Sequence, residues 1–116
     1  MAATKNPLSR LGHIRDEIDG ITAALRGTSR DVFVKDYVLR RAAERVLLII
    51  SEAAKALPRG LTDRYSEIDW RGVRGLGDVL RHDYERVDAD TLWEILTEKL
   101  PEMAPVVARM IDDLEG

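Results

Sequence analysis

From Leu8 onward the apolar positions fall at Leu8, Leu11, Ile14, Ile18, Ile21 and Leu25. Steps of three and four residues keep these side chains on one stripe of an amphipathic helix, with Arg10, Arg15, Asp16 and Glu17 on the other faces. Gly20 weakens this helix without having to break it. Gly27-Thr28-Ser29 ends it, and Ser29 or Asp31 can cap the next. From Asp31 to Leu57 there is neither Gly nor Pro, and Val34, Val38, Ala42, Val46, Ile49, Ala53 and Leu57 recur at helical spacing. This series predicts a single helix spanning about 35 Å at 1.5 Å per residue. Within it Val46-Leu47-Leu48-Ile49-Ile50 is apolar around most of the wheel, which predicts cover from more than one neighbour, a second subunit included.

Pro58-Arg59-Gly60 stops that helix, and Leu61 to Ile68 reads as a connecting loop with one or two turns. A third helix is predicted from a cap at Asp69 and an anchor at Trp70, with Val73, Leu76 and Leu80 as its buried face. Gly72, Gly75 and Gly77 cost this helix up to about 1 kcal/mol each relative to Ala. They predict a close neighbour: a partner helix, a second subunit or a substrate backbone. Asp88-Ala89-Asp90 caps a last helical section, Thr91 to Leu114, which Pro101 and Pro105 should kink or split near Leu100. No strand pattern or internal repeat is present. The expected fold is all-α, an up-and-down bundle of four to five helices forming one domain over residues 1–116.

Composition narrows the function. A chain of 116 residues with 45% hydrophobic and 34% charged residues suits one folded domain rather than a disordered tail. The absence of Cys excludes disulfides, thiolate metal sites and cysteine nucleophiles. At 5% aromatic residues a base-stacking platform is not expected, and a net charge of −3 argues against strong non-specific nucleic-acid affinity while leaving room for a local basic site. No apolar run approaches the roughly 20 residues that span a bilayer, and the first residues lack a hydrophobic signal core, so no membrane association and a cytoplasmic location are expected.

The candidate chemistry is concentrated near one of the two histidines. His13 has no partner constellation beside it in sequence and reads as a surface or structural residue. No His pair at i, i+4 and no HExxH arrangement is present, so neither a metal nor a cofactor is expected. His82 lies in Asp78-Val79-Leu80-Arg81-His82-Asp83-Tyr84. Asp78, four residues earlier, can meet His82 on a helix, fix its tautomer and raise its pKa. Arg81 offers a fork suited to phosphate oxygens, and Tyr84 adds a hydroxyl. The same residues also suit a solvated helix end.

The run Tyr65-Ser66-Glu67-Ile68-Asp69-Trp70, the stretch from Arg71 to Asp88 with its RHDYERVD, and Thr91-Leu92-Trp93-Glu94-Ile95-Leu96 resemble the HepT-like proteins of the HEPN superfamily. The resemblance implies a helical homodimer in which the motif helices of two subunits line a shared cleft. It implies a toxin of a type VII toxin–antitoxin pair: a metal-independent endoribonuclease acting on RNA such as tRNA. Its partner would be an MntA-like nucleotidyltransferase antitoxin that attaches AMP to the tyrosine of an Arg-x4-His-x-Tyr motif. His82 and Tyr84 match that motif's histidine and tyrosine. Its arginine position is Gly77, and the polar residue that follows is Asp78. Arg74 or Arg81 would then have to supply the cation, so the implied catalytic set is His82, Arg81, Asp78 and Arg74. The competing reading is a non-catalytic dimer that keeps the cleft as a nucleotide- or partner-binding module. A purely structural bundle needs only the apolar stripes, and DNA-binding regulation is disfavoured by the acidic balance and the lack of helix-turn-helix spacing.

Overall fold

The stripe from Leu8 folds as α1, Pro7–Ala24. Asn6 caps it by accepting the Leu8 N–H at 2.8 Å, and Pro7 fits the first turn because its missing N–H has no helical partner there. Leu11, Ile14, Ile18 and Ile21 are its buried face. Gly27, at φ 79°, turns the chain through the left-handed region that a side chain would strain. The computed structural model describes residues 6–82 and 87–116.

The single helix expected between Asp31 and Leu57 is in fact two: α2, Arg30–Lys35, and α3, Tyr37–Lys55. The break is at Asp36, whose backbone is extended (φ −94°, ψ 104°) and whose carboxylate accepts the Leu39 N–H at 3.0 Å. A short acidic side chain that bonds its own backbone is a helix start even without Gly or Pro. The bend sends Phe33, fully buried, against Trp93 with ring centroids 5.4 Å apart. The buried face of α3 also differs from the predicted stripe. It consists of Ala43, Leu47, Ile50, Ser51, Ala53 and Ala54, while Val38 is 71% exposed. The apolar run 46–50 covers most of the wheel, so the neighbours decide which edge faces inward. α3 packs chiefly against α1 and α5, with smaller contacts to α2 and α6.

A short helix, α4, Arg59–Thr62, runs from the expected stop at Pro58-Arg59-Gly60 into the stretch read as a loop with one or two turns, and turns follow to Ile68. α5 is Trp70–His82. The last section comprises α6, Ala89–Glu94, a π-helical turn at Ile95–Lys99, and α7, Leu100–Glu115. The expected interruption near Leu100 thus takes the form of the π turn. Pro101 lacks the N–H an α-helix needs there, and the Thr97 hydroxyl donates to the Trp93 carbonyl at 2.7 Å, a side-chain bond that loosens the ladder. α7 continues through Pro105. α7 closes the bundle against α1. No strand occurs among the described residues, and no helix is long and apolar enough to cross a membrane.

Candidate functional site

α5 carries His82, and its start is fixed by the residues before it. Asp69 accepts the Gly72 N–H at 3.1 Å, and the buried Trp70 donates its indole N–H to the Tyr65 carbonyl at 3.0 Å. At about 100° per residue, Trp70, Val73, Leu76, Gly77 and Leu80 turn inward, while Arg71, Asp78 and His82 share the outer face. Trp70, Gly77 and Leu80 are buried, and Asp78, Arg81 and His82 are exposed.

Gly77, the position where the motif arginine was expected, lies in close contact with α3. The Ser51 hydroxyl accepts the Gly77 N–H at 3.0 Å and donates to the Arg74 carbonyl at 2.9 Å. A Cβ at residue 77 would sit 2.7 Å from Ser51 Oγ and 3.1 Å from Ser51 Cβ. Of the neighbours that the glycines left open, a partner helix is the one present at Gly77. Gly72 faces the capping Asp69 carboxylate, and Gly75 faces open space.

Beyond Ser51 the two helices are joined by charge. Arg81 donates to Glu52 at 2.6 Å and lies 3.7 Å from Asp78, and Lys55 reaches Asp78 at 3.0 Å and Glu52 at 3.5 Å. Residues 52 and 55 meet 81 and 78 in reverse order, so α3 and α5 run antiparallel here. The Arg81 hydrogen bond holds the Glu52 carboxyl below the usual carboxylate range, and that from Lys55 does the same for Asp78. The Lys55 ammonium is raised in turn, chiefly by Asp78. All four groups are exposed enough that each pair contributes little stability. Asp78, expected to orient His82, thus has one carboxylate oxygen, Oδ1, engaged by Lys55 and near Arg81.

Arg74 stands elsewhere. It lies two turns before His82, about 12 Å along the helix axis. Its Nη1 is enclosed, with no hydrogen-bond partner among the described residues. Tyr84, the residue expected to be modified, lies outside the described residues, as does Asp83.

Two depressions border this region. One, of about 240 Å³, lies between α1, α3 and α5 and is lined by Arg10, His13, Arg45, Glu52 and Arg81 over an apolar floor of Leu48, Ile49 and Ala53. Sequence reading passed over Arg10, Arg45, Glu52 and Lys55. Arg45 and Glu52 are seven residues apart and so share a face of α3, but nothing local shows that Arg10 and Arg81 meet that face. The other, of about 430 Å³, is apolar at its base, with Glu67, Asp69 and Glu102 against Lys99 at its rim, a poor setting for a polyanion. No cluster of three or more His, Asp or Glu that could hold a metal ion occurs among the described residues.

Residues 14–110 match the family model described as Ribonuclease HepT-like. The chain belongs to the HepT-like ribonuclease family, of the HEPN superfamily. Among relatives, it is 36% identical over 107 residues to a protein of Caldanaerobacter subterraneus subsp. tengcongensis provisionally named an RNase, covering 92% of this chain and 96% of the relative. It is 34% identical over 86 residues to one of Methanocaldococcus jannaschii, also provisionally named an RNase, covering 74% and 71%. It is 32% identical over 93 residues to a protein of Thermococcus cleftensis provisionally named ribonuclease HepT, covering 80% and 84%. No solved structure gives a significant match. Family membership and the helical bundle agree with the expected fold, and they support a ribonuclease, toxin-like function.

Proposed function

We propose that this protein is a HepT-like endoribonuclease toxin, acting as a homodimer on RNA and neutralised by a nucleotidyltransferase antitoxin. The observation that carries the reading is the family match over residues 14–110, which contains His82 at the exposed end of α5. In the reaction the 2′-oxygen of a ribose bonds to the adjacent phosphorus and the P–O5′ bond breaks, leaving a 2′,3′-cyclic phosphate and a 5′-hydroxyl. His82 acts as the base that takes the 2′-hydroxyl proton, or as the acid that supplies one to the departing 5′-oxygen. An imidazole is suited to either role because its two ring nitrogens can accept and donate a proton. Arg81, the cation adjoining His82, stabilises charge on the phosphate. Asp78 acts on Arg81 through their shared charge network rather than on the imidazole. Arg74 serves a phosphate only if a second copy brings it to the cleft. AMP attached to the Tyr84 hydroxyl would add bulk and negative charge two residues from His82 and close the site.

One observation favours a second reading, a non-catalytic binding dimer: the slot for the motif arginine holds a buried glycine packed on Ser51. The decisive experiment is incubation of total tRNA with wild type and His82→Ala in EDTA. Cleavage by wild type alone, with cyclic phosphate ends, is expected. No cleavage by folded, unmodified wild type would leave the binding module. The antitoxin arm is tested by intact mass after co-expression with a candidate nucleotidyltransferase. A gain of one AMP, lost in Tyr84→Phe, is expected, and full neutralisation without that gain would refute modification.

A further inference from the structure

The depression between α1, α3 and α5 has a charge pattern that bundle packing does not require. Three guanidinium groups, Arg10, Arg45 and Arg81, converge on it from three helices against one carboxylate, Glu52, which is already committed to Arg81. Among the described residues no carboxylate lies within ion-pair reach of Arg10 or Arg45, and Arg10 Nε is enclosed without a hydrogen-bond partner. In a chain of net charge −3 this is a local excess of positive charge with room for a phosphate and part of its sugar.

Its location is informative. Leu48, on the floor of the depression, is also 3.7 Å from where a Cβ at residue 77 would stand. Gly77 therefore packs on α3 beside this cleft. The charge that α5 lacks at Gly77 is present next door, carried by α1 and α3, and Arg81 at its edge adjoins His82.

We propose that this cleft is a phosphodiester-binding subsite for the RNA strand, with Arg10 and Arg45 as its phosphate ligands and Glu52 as a built-in competitor for Arg81. The inference rests on the ribonuclease reading above. Guanidinium forks pair with phosphate oxygens in parallel hydrogen bonds, which favours a phosphate over a point-charge partner. Glu52 repels an incoming phosphate and occupies Arg81, so its removal should strengthen binding while removal of either arginine weakens it. Opposite signs from neighbouring residues are not expected of a purely structural cluster.

The probe is a fluorescein-labelled single-stranded RNA with 2′-O-methyl sugars, which lacks the attacking hydroxyl, followed by anisotropy across a salt series. Arg10→Gln and Arg45→Gln should each weaken binding several-fold and together by about tenfold or more, lowering the log–log salt slope by about 0.7 per lost contact. Arg45→Lys, which keeps the charge but loses the fork, should bind between wild type and Arg45→Gln with the wild-type salt slope, Glu52→Gln should bind more tightly, and the exposed Arg59→Gln should match wild type. Thermal melts of each variant confirm that folding is intact. If both glutamine variants bind like Arg59→Gln, or weaken with an unchanged salt slope, the subsite is refuted, and if tRNA cleavage persists the ribonuclease reading survives. A wild type that binds no RNA overturns both. A glutamate-rich peptide that competes as well as RNA at equal charge would assign the cleft to an acidic protein partner and overturn the subsite.

Discussion

Replacing Gly77 by alanine sets two well-calibrated effects against each other. In a helix interior alanine is favoured over glycine by about 0.8–1 kcal/mol, so an open position would be stabilised. Here the new Cβ would stand 2.7 Å from Ser51 Oγ and 3.1 Å from Ser51 Cβ. The hydroxyl is not a free end that can swing aside. It accepts from the Gly77 N–H and donates to the Arg74 carbonyl, at 3.0 and 2.9 Å, and releasing both bonds costs about 1 kcal/mol each. Moving α5 away from α3 instead costs about 1–3 kcal/mol as overpacking. The propensity gain offsets part of either route, leaving Gly77→Ala destabilised by about 1–2 kcal/mol. That should appear as a Tm lowered by about 4–8 °C, with a matching shift of the urea midpoint. In a Ser51→Ala background the hydroxyl is gone, and the cost of Gly77→Ala should fall towards zero, giving a coupling of about 1 kcal/mol in the double-mutant cycle. A Gly77→Ala protein that melts higher than wild type, or a cost identical in both backgrounds, would refute the close contact. Gly77→Arg begins with the same Cβ, so an arginine placed at this position alone should destabilise the fold.

Two further outcomes are expected of the fold. Asp36→Ala removes the cap that starts α3 and should cost about 1 kcal/mol in thermal unfolding, whereas an unchanged Tm would mean that tertiary contacts alone hold the bend. Glu52, held low by Arg81, Asp78, held low by Lys55, and Glu67, held low by Arg109, titrate below their ordinary values in the folded chain. A carboxylate with a depressed folded pKa stabilises above its unfolded pKa and loses that contribution as pH falls through the folded one. Urea midpoints should therefore hold down to about pH 5 and fall below about pH 4, by less in Glu52→Gln than in wild type. A midpoint independent of pH across that window would exclude these contributions.

The α1 stripe, the Asp69 and Trp70 start of α5 and the interruption before α7 were legible because each depends on neighbours within one or two turns. Asp36 was not recognised because its cap competes with an uninterrupted apolar pattern, and the bend is stabilised by Phe33 reaching Trp93, 60 positions away in the chain. The inner edge of α3 was ambiguous for a related reason. Five consecutive apolar residues mark a helix with more than one covered face, but α1 and α5 decide where its edge lies. At the candidate site, local spacing correctly put Asp78 and His82 on one face of α5. It could not show that Lys55 and Glu52 of another helix would engage Asp78 and Arg81, so the pairing expected within α5 formed across helices instead.

That exchange of partners bears on which arginine can serve a phosphate beside His82. Arg81 is tied to Glu52, yet an exposed ion pair of this kind is worth only about 0–1 kcal/mol, so giving it up for a phosphate costs little. When Arg81 leaves, Glu52 retains Lys55 at 3.5 Å, and Asp78 retains Lys55 at 3.0 Å, so no carboxylate of the network is stranded. The network thus positions Arg81 at the cleft edge without locking it there. Arg74 is placed differently, two turns back along the helix and with part of its guanidinium enclosed, so within one chain it cannot meet a phosphate held at His82. If catalysis in the monomer's own cleft uses a cation from α5, it is Arg81. A requirement for Arg74 would instead be evidence that two copies build one site.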